Sequence, residues 1–395
     1  LADGLGRKKA IAVAYVMFFA GSVVIAAAGG FPVLMSGRVA QGIGVGIALV
    51  VPPVLKAELV PANRRGGLVS IGDVCTNFGI LLGYSSGLIF YGVPGAWRYM
   101  FALGALPAAL LLCLIWSIPE SPRWLVRAGK EAKALRVLGA VHDSKLDAAT
   151  QLAQIKADLA EEARKPPLSW REVLWSSDLT SRRRVWLGLG VAFFSQATGT
   201  EAVVYYAASI VQAAGVTDVR HTLLAIMGVG LCKVVFLLIG CSLFDKVGRR
   251  PMLLTSAAGL AISLVILAAA ASGDSNAALA IGGLCGFMAS FSIGFSPLVY
   301  VLCSEIFPSA MRARAMSLAL FTTRVVAGAI SSSFVSVREA ATPTGAWLLF
   351  LPVALTAFLF VLFLVPETKG VSLEQMPDLF EKKRKGTSTA QASHA

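Results

Sequence analysis

The sequence predicts an all-α polytopic membrane protein built from two parallel helical halves. Three observations lead there: a composition too apolar for a soluble surface, ten apolar stretches of bilayer-spanning length, and a set of charged motifs that occurs twice. The 395 residues are 56% hydrophobic and only 14% charged, with a mean hydropathy of +0.73. Soluble domains run at roughly 45–50% apolar and roughly 25% charged. The charge needed to solvate a globular surface is missing. That excludes a soluble enzyme, a disordered chain and a secreted disulfide scaffold together.

A helix needs about 20 apolar residues to cross a bilayer, and lipid leaves its backbone polar groups no partner outside the helix. Four stretches qualify before residue 119: roughly 10–29, 33–57, 67–91 and 99–118. Six follow residue 184: roughly 186–212, 222–244, 252–272, 277–303, 314–336 and 345–365. Short turns with Gly, Pro or charge separate them, as at Gly29-Gly30-Phe31-Pro32. Between the two groups, 120–184 is polar, with 13 Lys and Arg against 9 Asp and Glu. Leu152, Ile155 and Leu159 recur there at helical spacing, which predicts short amphipathic helices at the membrane surface. In the tail, Ser372 followed by Gln375 reads as a helix start, and Lys382 to Lys385 as a basic end near anionic lipid.

The formal charge of +13 raises the question of a nucleic-acid partner, which needs one contiguous basic patch. The distribution favours membrane topology instead. Of 35 Lys and Arg, only Arg98, Arg220 and Arg338 fall in loops on one side, and Arg38, Lys233 and Arg324 lie inside apolar stretches. The other 29 share the opposite side with 120–184 and the tail, which the positive-inside rule makes cytoplasmic. The six cysteines all fall in apolar stretches, and His142, His221 and His394 are scattered. No disulfide framework, metal-ligand spacing or nucleophile motif is readable, so neither an enzyme, a cofactor nor a metal is expected.

The repeat is carried by four landmarks in the same order. Asp3-x-x-Gly6-Arg7-Lys8 returns as Asp245-x-x-Gly248-Arg249-Arg250, at an offset of 242. Glu58-x-x-Pro61-x-x-x-Arg65 returns as Glu305-x-x-Pro308-x-x-x-Arg312, at 247. Gly95-Ala96-Trp97 returns at Gly345, and Pro119-Glu120 at Pro366-Glu367. Parallel repeats are a transporter plan. Two helices (186–212 and 222–244) precede Asp245, so symmetry leads one to expect two before Asp3, ten helices here standing for twelve. The expected division is therefore 1–118, an N-terminal half lacking its first two helices; 119–184, a cytoplasmic loop; 185–366, a six-helix half; and 367–395, a cytoplasmic tail. The duplicated charges form a candidate gating network at the cytoplasmic face: Asp3, Arg7, Glu58, Arg65, Glu120, Arg123, Asp245, Arg249, Glu305, Arg312 and Glu367. Their pairing is expected to latch the halves together in one state and to break in another.

These motifs resemble those of the sugar porters of the major facilitator superfamily, over essentially the whole chain. The resemblance rests on LADGLGRKK, Arg38 with Gly42, Gly44 and Gly46, Glu58 to Gly66, PESPRWL (119–125), Gln196-Ala-Thr-Gly199, DKVGRRP (245–251), SEIFPSAMR (304–312) and PETKG (366–370). It implies a major facilitator fold of six plus six helices, rocking around a midplane sugar site. Glu201, Lys233 and Asp73, where many sugar porters carry amides, make the chain most similar to plant and algal polyol and monosaccharide proton symporters. Ser195, Thr323 and Tyr300 depart from the common Gln, Asn and Trp and leave the sugar open. The plasma membrane is the implied location, with vacuolar and plastid membranes as alternatives.

Chemistry alone also singles out the ionisable residues within spans: Arg38, Asp73, Glu201, Lys233 and Arg324. Each costs about 2.5–3.5 kcal/mol at mid-membrane, so they should pair or line a wet cavity. A carboxylate there can have its pKa raised towards neutrality, as a proton carrier requires. Asp73 and Glu201 fit that role, and the resemblance implies a coupling role for Arg38. Gln196, Glu201, Lys233 and Thr323 could bind sugar hydroxyls, with Tyr205, Tyr206 and Tyr300 supplying aromatic faces; helix packing is the competing reading of the first two tyrosines. Gln196 and Glu201 are five residues apart, off a single helix face, which predicts unwinding near Gly199. The functional expectation is proton-driven transport of a polyol or monosaccharide by alternating access. A facilitative uniporter and a non-transporting sugar sensor remain alternatives.

Overall fold

The computed structural model describes all residues except Leu1, 60–64, 142–144, 165–168, 273–275, 309–310, 372–374, 377–378 and 381–395. The helix start expected at Ser372 and the basic run from Lys382 lie outside the described residues, as do the side chains of Arg65 and Asp245. Among the described residues all regular structure is helical. The chain divides into two compact units, Leu1–Pro167 and Leu168–Ala395.

The first unit holds α1 (Ala2–Leu5), α2 (Arg7–Ala26), α3 (Phe31–Leu59), α4 (Arg65–Ile89), α5 (Ala96–Leu114), α6 (Pro122–Arg127), α7 (Glu131–Val141) and α8 (Lys145–Arg164). Its small core gathers Ala10, Ile11, Val51, Leu55 and Ile115. Helices α2 and α3 pack backbone to backbone: a Cβ on Gly21 would lie 2.7 Å from Gly37 O, and one on Gly44 2.6 Å from Ala14 O. Small residues allow that approach in lipid. Of the three glycines beside Arg38, only Gly44 serves it, because Gly42 and Gly46 have nothing within 4 Å of a Cβ position. The polar connection carries α6, α7 and the 20-residue α8. Ser121 caps α6 by accepting from Trp124 N, with Pro122 in the first turn, and the Leu152, Ile155 and Leu159 line is half-buried.

The second unit holds α9 (Trp170–Leu174), α10 (Leu179–Ala197), α11 (Thr200–Ala213), α12 (Val219–Val247), α13 (Arg249–Ser272), α14 (Ala277–Ile293), α15 (Phe295–Ile306) and α16 (Arg312–Phe363). Ser169 and Glu172 close a capping box on α9. Asp178 caps α10, accepting from Thr180 N and Ser181 N, so the helix begins seven residues before the apolar stretch does. Arg182, Arg183 and Arg184 therefore ride on the helix and not in a loop. The core is larger here, centred on Phe287, Phe295, Phe307, Phe334, Leu253, Leu260 and Leu264.

Three breaks interrupt this unit. Gly199 (φ 93°) separates α10 from α11, as the Gln196–Glu201 spacing predicts. Gly294 (φ −119°, ψ −77°) separates α14 from α15, where the sequence reads as one span. Its Cβ would lie 2.4 Å from Ser256 Cβ and 2.6 Å from Met252 O, while Ser256 Oγ takes up the freed Phe295 N–H at 3.3 Å. Thr342 (φ 62°, ψ 158°) divides α16 into Arg312–Thr342 and Thr344–Phe363. Eight helices among the described residues are long and apolar enough to cross a membrane. Helix α4 and the broken α10–α11 pair occupy the other two stretches that read as spans.

Candidate functional site

The duplicated motifs build the same structure in each unit. Arg7, at the start of α2, forks onto Glu58 at the end of α3: Nε donates to Oε2 and Nη2 to Oε1, both at 3.0 Å. Arg249, at the start of α13, reaches Glu305 near the end of α15, its Nε and Nη2 donating to Oε1 at 3.2 and 2.9 Å. These ion pairs are largely shielded, with side chains 10% and 12% exposed in the first and 12% and 21% in the second.

The acidic residue after Pro119 and Pro366 does something the sequence did not disclose: it caps a helix. Glu120 accepts from Arg7 N at 2.9 Å and from Lys8 N at 3.2 Å. Glu367 accepts from Arg249 N at 3.0 Å and Arg250 N at 3.1 Å. Each carboxylate thus satisfies N–H groups that a helix start leaves open and meets the positive end of its dipole. The glycine before each arginine makes room. Gly6 (φ 98°) and Gly248 (φ 109°) place a would-be Cβ 2.5 and 2.7 Å from the capping Oε2.

The described ion pairs of the network bind neighbouring segments within each unit, Arg7 and Glu58 sitting on adjacent ends of α2 and α3. Asp3 joins Arg7 at 2.9 Å. Arg312 instead donates to the carbonyl of Phe307 at 3.3 and 3.2 Å. Arg123 lies on α6, whose Trp124 Nε1 donates to Asp3 O at 3.0 Å. Two participants were not foreseen: Thr368, donating to Glu305 Oε2 at 2.6 Å, and Arg184, buried against Ile306 O. Thr368 belongs to a motif already noted; nothing in the sequence pointed from Arg184 to α15.

The intramembrane residues fall in separate places. In the second unit, Gln196 ends α10 just before the Gly199 break. It is 8% exposed, and its amide oxygen is buried without a hydrogen-bond partner. Glu201 lies in the first turn of α11, beyond the break. Lys233 is buried on α12. Tyr300 on α15 and Thr323 on α16 come together, hydroxyl to hydroxyl at 3.4 Å. Tyr205 and Tyr206 diverge: Tyr205 is 68% exposed, whereas Tyr206 donates to Ser331 O at 2.8 Å and packs on Phe334. In the first unit, Arg38 lies over the Phe101 ring at 4.8 Å. Asp73 on α4 accepts through its backbone carbonyl from Asn77 Nδ2 at 2.8 Å. Asn77, which the sequence reading passed over, is buried with its own amide oxygen unpartnered. No group of three or more potential metal ligands occurs among the described residues.

A family model described as "Sugar (and other) transporter" matches residues 1–380. Polyol transporter 5 of Arabidopsis thaliana is 37% identical over 401 residues, covering 96% of this chain and 74% of the relative. D-xylose-proton symporter-like 3, chloroplastic, of the same plant is 34% identical over 392 residues, covering 95% and 70%. The inward-open conformation of the xylose transporter XylE from E. coli matches with a TM-score of 0.80 at 28% identity, covering 96% of this chain and 84% of that one. The structure of the major facilitator superfamily proton:xylose symporter XylE bound to 6-bromo-6-deoxy-D-glucose matches with a TM-score of 0.78, also at 28% identity and the same coverage.

Proposed function

The chain belongs to the sugar (and other) transporter family, and on that premise we propose that it moves a polyol or monosaccharide together with a proton by alternating access. It is a multi-pass integral membrane transporter of the major facilitator fold and not an enzyme. The observation that carries the substrate reading is the orphaned acceptor at the α10–α11 break. A buried amide oxygen without a donor costs about 1–3 kcal/mol, and Gln196 Oε1 is one. A ligand hydroxyl would satisfy it. The break leaves Glu201 in the next turn, where it can accept from a second hydroxyl, and the Tyr300–Thr323 pair offers a further donor and acceptor. Lys233 completes the polar set of this unit, with Tyr205 as an aromatic face; Asp73, on α4 of the first unit, is a separate proposed substrate contact. The names of the relatives support this class of substrate and the proton coupling.

Glu201 and Asp73 are the proposed proton carriers, and Arg38 the cation whose charge couples protonation to transport. The duplicated networks serve conformational change by keeping each half a single body while it moves, a rigid-body form of switching. The lysine and arginine bias supports placing the network ends, the central helices and the tail in the cytoplasm. Among membranes, the plasma membrane is proposed, and a fluorescent fusion imaged against vacuolar and plastid markers checks it.

Uptake measured in transporter-null yeast, from the full reading frame, tests the reading. A panel of hexoses, pentoses, inositol and linear polyols should include at least one substrate whose uptake a protonophore abolishes. Glu201→Gln should remove that uptake or flatten its pH dependence. Unchanged uptake by the variant at every pH would rule out its role, and protonophore-insensitive uptake would replace symport with facilitated passage.

A further inference from the structure

Arg184 is a buried cation that makes no ion pair with any described residue. It is 6% exposed, and its Nε donates to Ile306 O at 2.6 Å. One residue further on, the Phe307 carbonyl takes the Nε and Nη2 of Arg312. Two guanidinium groups thus converge on consecutive carbonyls at the end of α15, and the charge of Arg312 acts unfavourably on Arg184. Neither makes an ion pair with a described residue. Among the described carboxylates of this unit, Glu305 is held by Arg249 and Thr368, Glu367 by the start of α13 and Glu172 by Ser169 N. Asp178 caps α10 and attracts Arg184, but less than Arg312 repels it. The helix end of α15 contributes only about half a negative charge. A buried cation without a partner is strongly unfavourable, so the site asks for an anion.

The surroundings identify its source. Trp170, Trp175 and Trp186 are all about half exposed or more. Trp175 and Trp186 pack ring on ring, and Trp170 lies against the guanidinium of Arg314 at 5.7 Å. Tryptophans at the end of membrane helices sit at the depth of lipid headgroups. Arginine forks match phosphate oxygens in pairs. We propose that Arg184 and Arg312, where α9, α10, α15 and α16 meet, form a binding site for the phosphate of an anionic phospholipid, with the tryptophans beside the glycerol backbone and acyl chains. Glu305 immediately precedes the two carbonyls, so an occupied site bears on the Arg249 network as well.

The test is thermal melting of the full chain in phosphatidylcholine discs, with or without a quarter of phosphatidylglycerol. Tenfold excess of ligand over its dissociation constant should raise the melting temperature by about 3–6 °C. Arg184→Gln should lose most of that rise, while Arg183→Gln, which removes an exposed charge from the same patch, should keep it. An equal rise in wild type and Arg184→Gln, or equal losses in the two variants, would overturn the site in favour of diffuse electrostatics. No rise in wild type overturns it too, and a rise from inorganic phosphate alone overturns the lipid as its occupant. Should Arg184→Gln not fold, Arg184→Lys keeps the charge without the fork and should bind more weakly. Native mass spectrometry of wild type should then retain phosphatidylglycerol in preference to phosphatidylcholine, and equal retention would count against the site.

Discussion

Replacing Gly248 with alanine places a methyl group where a carboxylate now sits. The backbone there, at φ 109° and ψ 161°, is a conformation open essentially to glycine, and other residues pay about 1–3 kcal/mol to hold it. The new Cβ would lie 2.7 Å from Glu367 Oε2 and 3.0 Å from its Cδ, so the carboxylate must leave. Doing so breaks its bonds to Arg249 N and Arg250 N, which as charge-assisted bonds are worth about 1.5–3 kcal/mol each before water replaces part of them. Together the two effects come to about 4–9 kcal/mol before that replacement and about 3–6 kcal/mol after it. At roughly 2–4 °C per kcal/mol for a unit of this size, Gly248→Ala should melt about 6–24 °C below wild type, read by tryptophan fluorescence in detergent. Gly6→Ala, facing Glu120 at 2.5 Å, should behave alike. Gly282→Ala is the control, because nothing lies within 4 Å of its Cβ position and alanine favours the helix. A Gly248→Ala protein melting within a degree or two of wild type would refute the account of Glu367 as a helix cap.

Three further outcomes follow from the same bonds. Gly44→Ala should separate α2 from α3 and cost about 1–3 kcal/mol of stability, whereas Gly42→Ala and Gly46→Ala should be neutral by the same melting measurement. Arg249→Met or Glu305→Leu alone should each destabilise by about 3–5 kcal/mol, but the double variant by much less; additive losses in that cycle would show that the two side chains are not coupled. Asp178→Ala should cost about 1 kcal/mol through loss of the α10 cap. The hydroxyl of Ser181, followed by its N–H, holds the Asp178 carboxyl below its ordinary range. The cap is therefore fully present above the ordinary carboxylate pKa and lost as pH falls through the lowered folded value. A pH series of melts should show variant and wild type converging only in strong acid.

Much of the fold was legible because a membrane reduces the choices. Twenty apolar residues bounded by Gly, Pro or charge can be little but a helix, and a motif repeated at nearly constant offset can be little but a structural repeat. The Gly199 break was legible too, since Gln196 and Glu201 are mis-spaced for one helix face. The Gly294 break was not. Pro297 stands in the first turn of α15, but no charge marks the break, where α13 offers Met252 and Ser256 at a distance only glycine tolerates. Gly42, Gly44 and Gly46 make the same point, being alike in sequence and told apart only by what α2 places opposite them.

Charges divide in the same way. Sequence alone determined which residues must matter, because an ionisable group inside a span, or a carboxylate and arginine repeated in register, is too costly or too improbable without a role. Only the tertiary structure decided what each one touches. It set Arg7 on Glu58 and Arg249 on Glu305, turned Glu120 and Glu367 onto backbone N–H groups, and left Arg184 and Arg312 on neighbouring carbonyls, without an ion pair to any described residue. The physical reason is that composition and periodicity report how much a residue costs to bury. The partner that offsets the cost lies about 50 to 120 positions away in the chain, where packing alone brings it within 3 Å.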